Sequence, residues 1–406
     1  MSKYHLKCTK CGFETPTFLV WFEQNQACPK CGSKRSEIIY NVDYSQLKEL
    51  IKGNPESFWH YFDFLPLENK QNSISCGEGT IPIEAWAFLS DYAREKHGID
   101  CEVFVYRNDL NGGTGTFKDV AGALAASVFK ENGVTKYCAA STGNTATAYS
   151  KYLALAGVKF TVFVPENMTE DSETEMISFG QTVVRCNGDY AYAKAKAAEF
   201  SEQEHVLIST GNIDPVRVEA KRTMVFEFLR QLGKMPDVYI QAISGGTGPI
   251  AIDKGIRELK PYFPQLKNPK MLMVQQDLCD PMVQAWESAK AQNFPEGYES
   301  HYPVIDNPQT SVSILSTGNP AMYPIVAPIV KQTDGDFLRV KESDLTDFAK
   351  MVYHEKKIHL GPASLVCLAG FFEALRQHKI ENGQTVLVNT GEGALRAKKF
   401  LEAVFE

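Results

Sequence analysis

The sequence predicts an α/β protein whose parallel sheets are wound on both faces, preceded by a small cysteine ribbon. Three observations carry that prediction. Short apolar runs alternate with helix-patterned segments along most of the chain, as parallel strands joined by crossover helices require. Four of these junctions are rich in glycine and hydroxyl groups, at the strand ends where open α/β sheets bind ligands. Two Cys-x-x-Cys pairs, Cys8/Cys11 and Cys28/Cys31, stand near the N-terminus.

The cysteine pairs come first in the chain. Each is followed by glycine, and their separation matches a zinc ribbon in which four thiolates surround Zn²⁺ tetrahedrally. A complete sulfur shell leaves no open coordination position, so the metal is expected to be structural. Two disulfides or a redox pair are the competing reading, disfavoured because the rest of the chain looks intracellular. The ribbon is not strongly basic, which points to protein packing or oligomer contact rather than nucleic acid. Six further cysteines (Cys76, Cys101, Cys138, Cys186, Cys279 and Cys367) lie in apolar surroundings and read as buried thiols, with Cys76 the one beside a Gly-Glu-Gly motif.

After the ribbon, a polar stretch from Asp43 to Glu56 reads as a helix and linker. Strands are expected near Val103–Tyr106, Lys136–Ala140, Lys159–Val164, Gln181–Cys186, Val206–Ser209, Val238–Ile243, Lys270–Gln275 and Thr385–Asn389, with helical patterns such as Tyr190–Phe200 and Arg217–Leu232 between them. Pro165–Ser172 reads as a mobile surface loop, a candidate lid. With 406 residues the chain can bury two substantial cores plus a small appendage. A formal charge of −7 argues against a nucleic-acid partner. No stretch approaches a membrane span and the first residues carry no apolar signal core, so the expected location is the cytoplasm.

The chemistry starts at Lys118. It ends the run Asn111-Gly-Gly-Thr-Gly-Thr-Phe-Lys118-Asp119, whose small residues let backbone approach a planar ring, and the apolar segment from Val120 reads as a buried helix that fixes the lysine. A lysine so presented can hold a carbonyl cofactor covalently. A solvated turn is the bland alternative. A triphosphate-binding loop is excluded, because Phe117 and Asp119 flank the lysine where that motif needs glycine and a hydroxyl residue. The run Ser141-Thr142-Gly143-Asn144-Thr145, between a strand and a helix start, forms an anion site, although ordinary helix capping accounts for one or two of its residues. Ser244-Gly245-Gly246-Thr247-Gly248 repeats the strand–loop–helix pattern and suits a phosphate. Asn389-Thr390-Gly-Glu-Gly is the fourth such junction.

Taken in order, Gly77-Glu-Gly-Thr-Ile-Pro82, Thr116-Phe-Lys118-Asp119, Ser141-Thr-Gly-Asn144-Thr, Asp214-Pro-Val-Arg217-Val-Glu-Ala-Lys221, Gly361-Pro-Ala-Ser and Asn389-Thr390-Gly-Glu-Gly resemble the motifs of threonine synthases and their relatives, from about residue 58 to the C-terminus. Those are pyridoxal-phosphate enzymes of the tryptophan-synthase β-subunit fold. The resemblance implies two doubly wound domains with the cofactor between them: a ribbon at 1–42, a large cofactor-binding domain from 43–114 and 211–406, and a small one at 115–210. It also implies that Lys118 joins the cofactor and later shuttles the α-proton. Asn144 then bonds the cofactor's phenolic oxygen, Ser141, Thr142 and Thr145 take the substrate carboxylate, Ser244–Gly248 hold the cofactor phosphate, and Thr390 faces the pyridine nitrogen. A neutral hydroxyl there favours elimination and replacement over transamination. Homodimers are usual in this group.

The implied substrate is an O-phospho-L-amino acid. Arg217 and Lys221, four apart and so on one face of a helix, are the candidates for holding anions, with Arg107 a third; an exposed basic helix face is the competing reading. The chain departs from the threonine-synthase pattern at Gly113, Thr116 and Val120, where proline, serine and arginine are usual, and at Ser244–Gly248. These departures resemble cysteate synthase, which replaces the phosphate of O-phosphoserine with sulfite. Gly318-Asn-Pro320, Gly77-Glu-Gly79 and the Arg217/Lys221 motif instead resemble threonine synthase, which acts on O-phosphohomoserine and water. A catalytically silent cofactor-binding paralogue is the non-enzyme alternative, opposed by the joint presence of Lys118, Asn144 and Thr390.

Overall fold

In the computed structural model, residues 2–141, 143–166, 168–395 and 397–405 are described. The chain divides into two compact units: Met1–Thr80 with Gly112–Thr114 and Lys118–Phe226, and Ile81–Asn111 with Gly115–Phe117 and Glu227–Glu406.

The first unit holds the ribbon and a four-stranded sheet. In the ribbon, Tyr4–Cys8 is the central strand, flanked by antiparallel Glu14–Thr15 and Ser36–Tyr40. The larger sheet is parallel throughout, in the order Thr182–Arg185, Lys159–Val164, Lys136–Ala140, Leu207–Ile208. Alternation along a strand sends successive side chains to opposite faces. Accordingly, Tyr137, Ala139, Phe160 and Val162 join a core with helices Asp119–Glu131 and Asn144–Leu155, whereas Cys138 and Phe163 pack with Ala193 and Ala197 of helix Tyr190–Glu204. Both faces are covered, as the continuous apolar strand sequences require.

The second unit is a six-stranded sheet in the order Asp336–Val340, Lys270–Gln276, Val238–Ala242, Thr385–Asn389, Glu102–Tyr106, Ile83–Ala85. Only the short Ile83–Ala85 runs antiparallel, at one edge. Val238, Ile240, Leu272, Val274, Val386 and Val388 form one face and pack on helix Pro362–Arg376. Gly370 of that helix lies so close to the sheet that a Cβ there would meet Val274 Cγ2 at 2.3 Å. On the other face Phe337 meets Trp286 and Tyr106 meets Phe228, at ring separations of 5.1 and 5.5 Å.

Three expectations change. Asp43–Glu56 forms only a 3₁₀ turn, Tyr44–Gln46, and a single helical turn, Leu47–Leu50. Pro165–Ser172 is not all loop: helix Glu170–Ser178 begins inside it, Met168 and Ser172 are buried, and Arg185 donates to the carbonyls of Glu166 and Met168, while Asn167 lies outside the described residues. Cys76 is half-buried, while the other five of its group are buried as expected. Among the described residues no helix is long and apolar enough to cross a membrane.

Candidate active site

In the first unit, Lys118 is half-buried at the N-terminal boundary of helix Asp119–Glu131, whose interior from Asp119 to Phe129 is buried. The small residues Val120-Ala-Gly-Ala-Leu-Ala-Ala let this helix pack against Asn144–Leu155; Gly122 leaves space that a Cβ would contest with Tyr152 at 2.8 Å. The turn before the lysine is held from several sides. Asp119 Oδ1 accepts from both the amide and the hydroxyl of Thr114, each at 2.8 Å. Lys151 Nζ donates to the Gly113 carbonyl at 2.6 Å, and Tyr152 Oη donates to the Gly112 carbonyl or to Glu78 Oε2 at 3.1 and 3.0 Å. Gly113 adopts φ +97°, and a Cβ there would fall 2.2 Å from Tyr152 Oη. Proline, fixed near φ −65°, is therefore impossible at this position, which explains one departure from the threonine-synthase pattern.

Glu78, Tyr152 and Lys151 hold this turn, a role the sequence did not suggest. Glu78 is fully buried and accepts from Ser75 Oγ and the Cys76 amide; burial raises its pKa. The signal was present as a glutamate enclosed by glycines.

At the next junction Ser141 Oγ accepts from the amides of Gly143 and Ala146 at 3.4 and 3.3 Å, so the capping reading accounts for Ser141. Asn144 is buried and begins the helix, and Thr145 is half-buried. Thr142 lies outside the described residues.

Arg217 and Lys221 stand on helix Pro215–Leu232 and both are buried, which removes the exposed-face reading. Arg217 donates to Tyr149 Oη at 3.2 Å and Ser209 Oγ at 2.7 Å, and lies 3.8 Å from Asp214. Burial pushes the Lys221 pKa well below the ordinary lysine value, and the nearby cations Lys118 and Arg217 push it further. Three cations thus gather within this unit, a strongly electropositive setting.

The cysteines meet as predicted. The Sγ atoms of Cys8, Cys11, Cys28 and Cys31 all lie within 4.8 Å of one another, with Cys8–Cys31 and Cys11–Cys28 each at 3.6 Å. Two thiolates on a tetrahedral zinc at about 2.3 Å would be separated by nearly that distance. In each knuckle the glycine amide bonds back to the first cysteine's carbonyl, Gly12 to Cys8 and Gly32 to Cys28. Against the burial that raises it, amides of Cys11 and Lys10 bring the Cys8 pKa down to about 6, which suits a metal-binding thiolate.

In the second unit, Ser244–Gly248 joins strand Val238–Ala242 to helix Thr247–Leu259. Gly246 adopts φ +81°, with Val326 Cγ2 2.5 Å from where a Cβ would be. Only glycine turns the chain there so that successive amides open toward an anion at the helix start. Gly245 is half-buried; a Cβ at Gly248 would strike Gln241 Oε1 at 2.2 Å; and Ser244 Oγ hydrogen-bonds Thr317 Oγ1. This cradle fits a phosphate.

Thr390 is fully buried; its hydroxyl lies 2.8 Å from the Tyr106 carbonyl and 3.2 Å from Asp109 Oδ1, both acceptors. Ser364 Oγ receives the amides of Gly391 and Glu392, each at 3.0 Å, so the Gly361-Pro-Ala-Ser and Asn389-Thr390-Gly-Glu-Gly motifs meet. Arg107 is engaged by carboxylates: Asp109 bidentately at 2.8 and 2.6 Å, and Glu84 at 2.8 Å. Its guanidinium orients Asp109 beside Thr390, a function the sequence did not suggest.

The sequence from residue 74 to 391 matches the family of pyridoxal-phosphate dependent enzymes. The chain belongs to that family. Among curated relatives, the enzyme is similar to threonine synthase of Methanosarcina acetivorans, 29% identical over 394 residues, covering 96% of this chain and 91% of the relative. Threonine synthase of Methanocaldococcus jannaschii is 25% identical over 388 residues, 91% and 92% of the two chains. Solved structures share the fold: an L-serine ammonia-lyase from Rhizomucor miehei gives a TM-score of 0.65 at 14% identity, over 80% of this chain and 98% of that one. Threonine deaminase isoform 2 of Solanum lycopersicum gives 0.63 at 18% identity, over 89% and 88%. The protein is therefore a pyridoxal-phosphate enzyme of the synthase and lyase type, with a four-cysteine cluster near its N-terminus.

Proposed function

We propose that the enzyme replaces the phosphate of an O-phospho-L-amino acid, and that its reaction is cysteate synthesis from O-phosphoserine and sulfite. The observation that carries the phosphate reading is the buried pair Arg217 and Lys221, with half-buried Lys118 near Lys221. Burying two cations near one another costs free energy, and an anionic ligand offsets part of that cost. A phosphate ester and a sulfite nucleophile are both anions, whereas water needs no cation to receive it. The departures at Gly113, Thr116, Val120 and Ser244–Gly248 support the sulfite branch.

Bound pyridoxal phosphate supplies an electron sink for charge developing on the substrate's α-carbon, so that phosphate can leave and a nucleophile can add. The residues provide the rest. Lys118 Nζ would hold the cofactor at rest and, once displaced by substrate, take the α-proton. Asn144 bonds the cofactor's phenolic oxygen, and Ser141, Thr142 and Thr145 with the adjoining helix amides receive the substrate carboxylate. Amides of Ser244–Gly248 would hold the cofactor phosphate, and Thr390, hydrogen-bonded to Asp109, would face the ring nitrogen. Arg217 and Lys221 orient the leaving phosphate and the incoming anion. A structural zinc in the cysteine cluster, a cytoplasmic location and a homodimer complete the proposal.

The threonine-synthase names of the curated relatives favour a second reading, O-phosphohomoserine and water to threonine. Offering O-phosphoserine with sulfite and, separately, O-phosphohomoserine in water, then identifying the amino acid formed, decides between them. Cysteate supports the first reading. Threonine alone overturns it in favour of the second, and a yellow protein that releases no phosphate from either substrate overturns both.

A further inference from the structure

The ribbon takes no part in the chemistry above, yet it is fastened to the elements that carry that chemistry. At one point Gln26, nearly fully buried, donates through Nε2 to the Ile208 carbonyl at 2.7 Å. The next residue, Ser209, is the one whose hydroxyl accepts from Arg217 Nη2. At a second point Tyr40, the last residue of the ribbon's third strand, donates to Glu219 Oε2 at 3.0 Å. Glu219 in turn pairs with Arg222 at 2.8 Å, and Arg222 donates to Tyr44 Oη at 2.8 Å and lies over the Tyr40 ring. Glu219 and Arg222 are three apart on the helix whose residues Arg217 and Lys221, four apart, carry the cations. One face of that helix thus serves the anion and another is gripped by the ribbon. At a third point Phe22 packs edge-on against Phe129 at 5.4 Å, on the helix that follows Lys118.

The backbone at the first fastening is strained. Asn25 and Gln26 have φ +51° and +56°, two consecutive left-handed residues without glycine. Such a turn persists only where its surroundings over-determine it. Here it delivers the Gln26 amide to the Ile208 carbonyl.

We infer that the ribbon is a strut that sets the position of Arg217 and Lys221, with Gln26 and Tyr40 as its positioning residues. The inference rests on the reading that those two cations hold the substrate's anionic group. It gives the four-cysteine cluster a consequence for substrate affinity.

The test titrates holoenzyme with inorganic phosphate, following heat of binding and cofactor absorbance, for wild type, Gln26→Ala, Tyr40→Phe and the double variant, with Arg217→Ala as reference. The double variant should bind phosphate about five- to ten-fold more weakly and raise KM for the O-phospho substrate equally, while kcat at saturation changes by less than about two-fold. The cofactor band should not move. Stripping the ribbon metal with a chelator should reproduce the weakened phosphate binding, and zinc should restore it. Tyr40→Phe, which keeps the ring, carries the test if the metal-free protein does not stay folded. Unchanged phosphate affinity in the double variant, with Arg217→Ala weakened, overturns the strut alone. Unchanged affinity in Arg217→Ala overturns the anion site and the strut with it.

Discussion

Arg107 and Arg217 are both buried arginines near motifs of the site, and the sequence offers both as anion holders; their surroundings separate them. Arg107 has every side of its guanidinium on Asp109 or Glu84, so its region is closed electrostatically. Arg217 has one carboxylate at 3.8 Å, two hydroxyls, and the cation Lys221 nearby. The lesson is that an anion site is defined by the balance of charge around a cation and not by the cation itself. Arg107 is neutralised within the fold, and Arg217 is the one proposed to meet an anion.

The comparison can be broken in four ways. The largest effect belongs to Lys118: Lys118→Ala should lower phosphate release by at least about 10³-fold, and wild-type turnover in that variant would rule out covalent cofactor chemistry at this lysine. Next is Arg107→Ala, which strands the Asp109 carboxylate, its side chain 6% exposed, and should cost about 3–5 kcal/mol of stability in urea unfolding. Its KM should stay near wild type; a large KM change with normal stability would make Arg107 a substrate residue after all. Arg217→Ala should do the reverse, raising KM for the O-phospho substrate about 30- to 100-fold.

The smallest effect is a proton. In the free enzyme Lys221 has its pKa pushed well down, first by burial and then by Lys118 and Arg217. A bound anion favours the charged ammonium, so binding should take up part of a proton, and affinity for phosphate should fall as pH rises through the depressed pKa. Calorimetry in buffers of different ionisation enthalpy measures that uptake. No uptake at any pH would place Lys221 away from the anion.

Much of the fold was legible because parallel strands buried on both faces are continuous apolar runs. Lys136–Ala140, Lys159–Val164 and Thr385–Asn389 begin and end where the sequence places them. Strands whose reason is tertiary were not legible. Asp336–Val340 is an edge strand with a charge at each end of its pattern, Ile83–Ala85 is three residues long, and the ribbon strands are set by the cysteine knuckles. Pro165–Ser172 has the composition of a loop, but a helix begins at Glu170 within it and Arg185 donates to its Glu166 and Met168 carbonyls. In the site, the glycine-rich turns and Lys118 were visible, since backbone conformation leaves its mark in residue type. The burial of Arg217 and Lys221 was not, because charge on a helix looks the same in sequence whether it faces water or protein. Asp109 stood two residues from Arg107 in plain view; Glu84 required the folded chain.

The Gly113 turn has an evolutionary corollary. The phenol of Tyr152 occupies the volume that any larger residue at 113 would need. Swapping the two positions separately passes through a clash or a void, so members of the family that carry proline before their lysine should also carry something smaller at the place of Tyr152. The two sites ought to change hands together when lineages diverge, making the pair a marker by which branches of this enzyme group can be sorted.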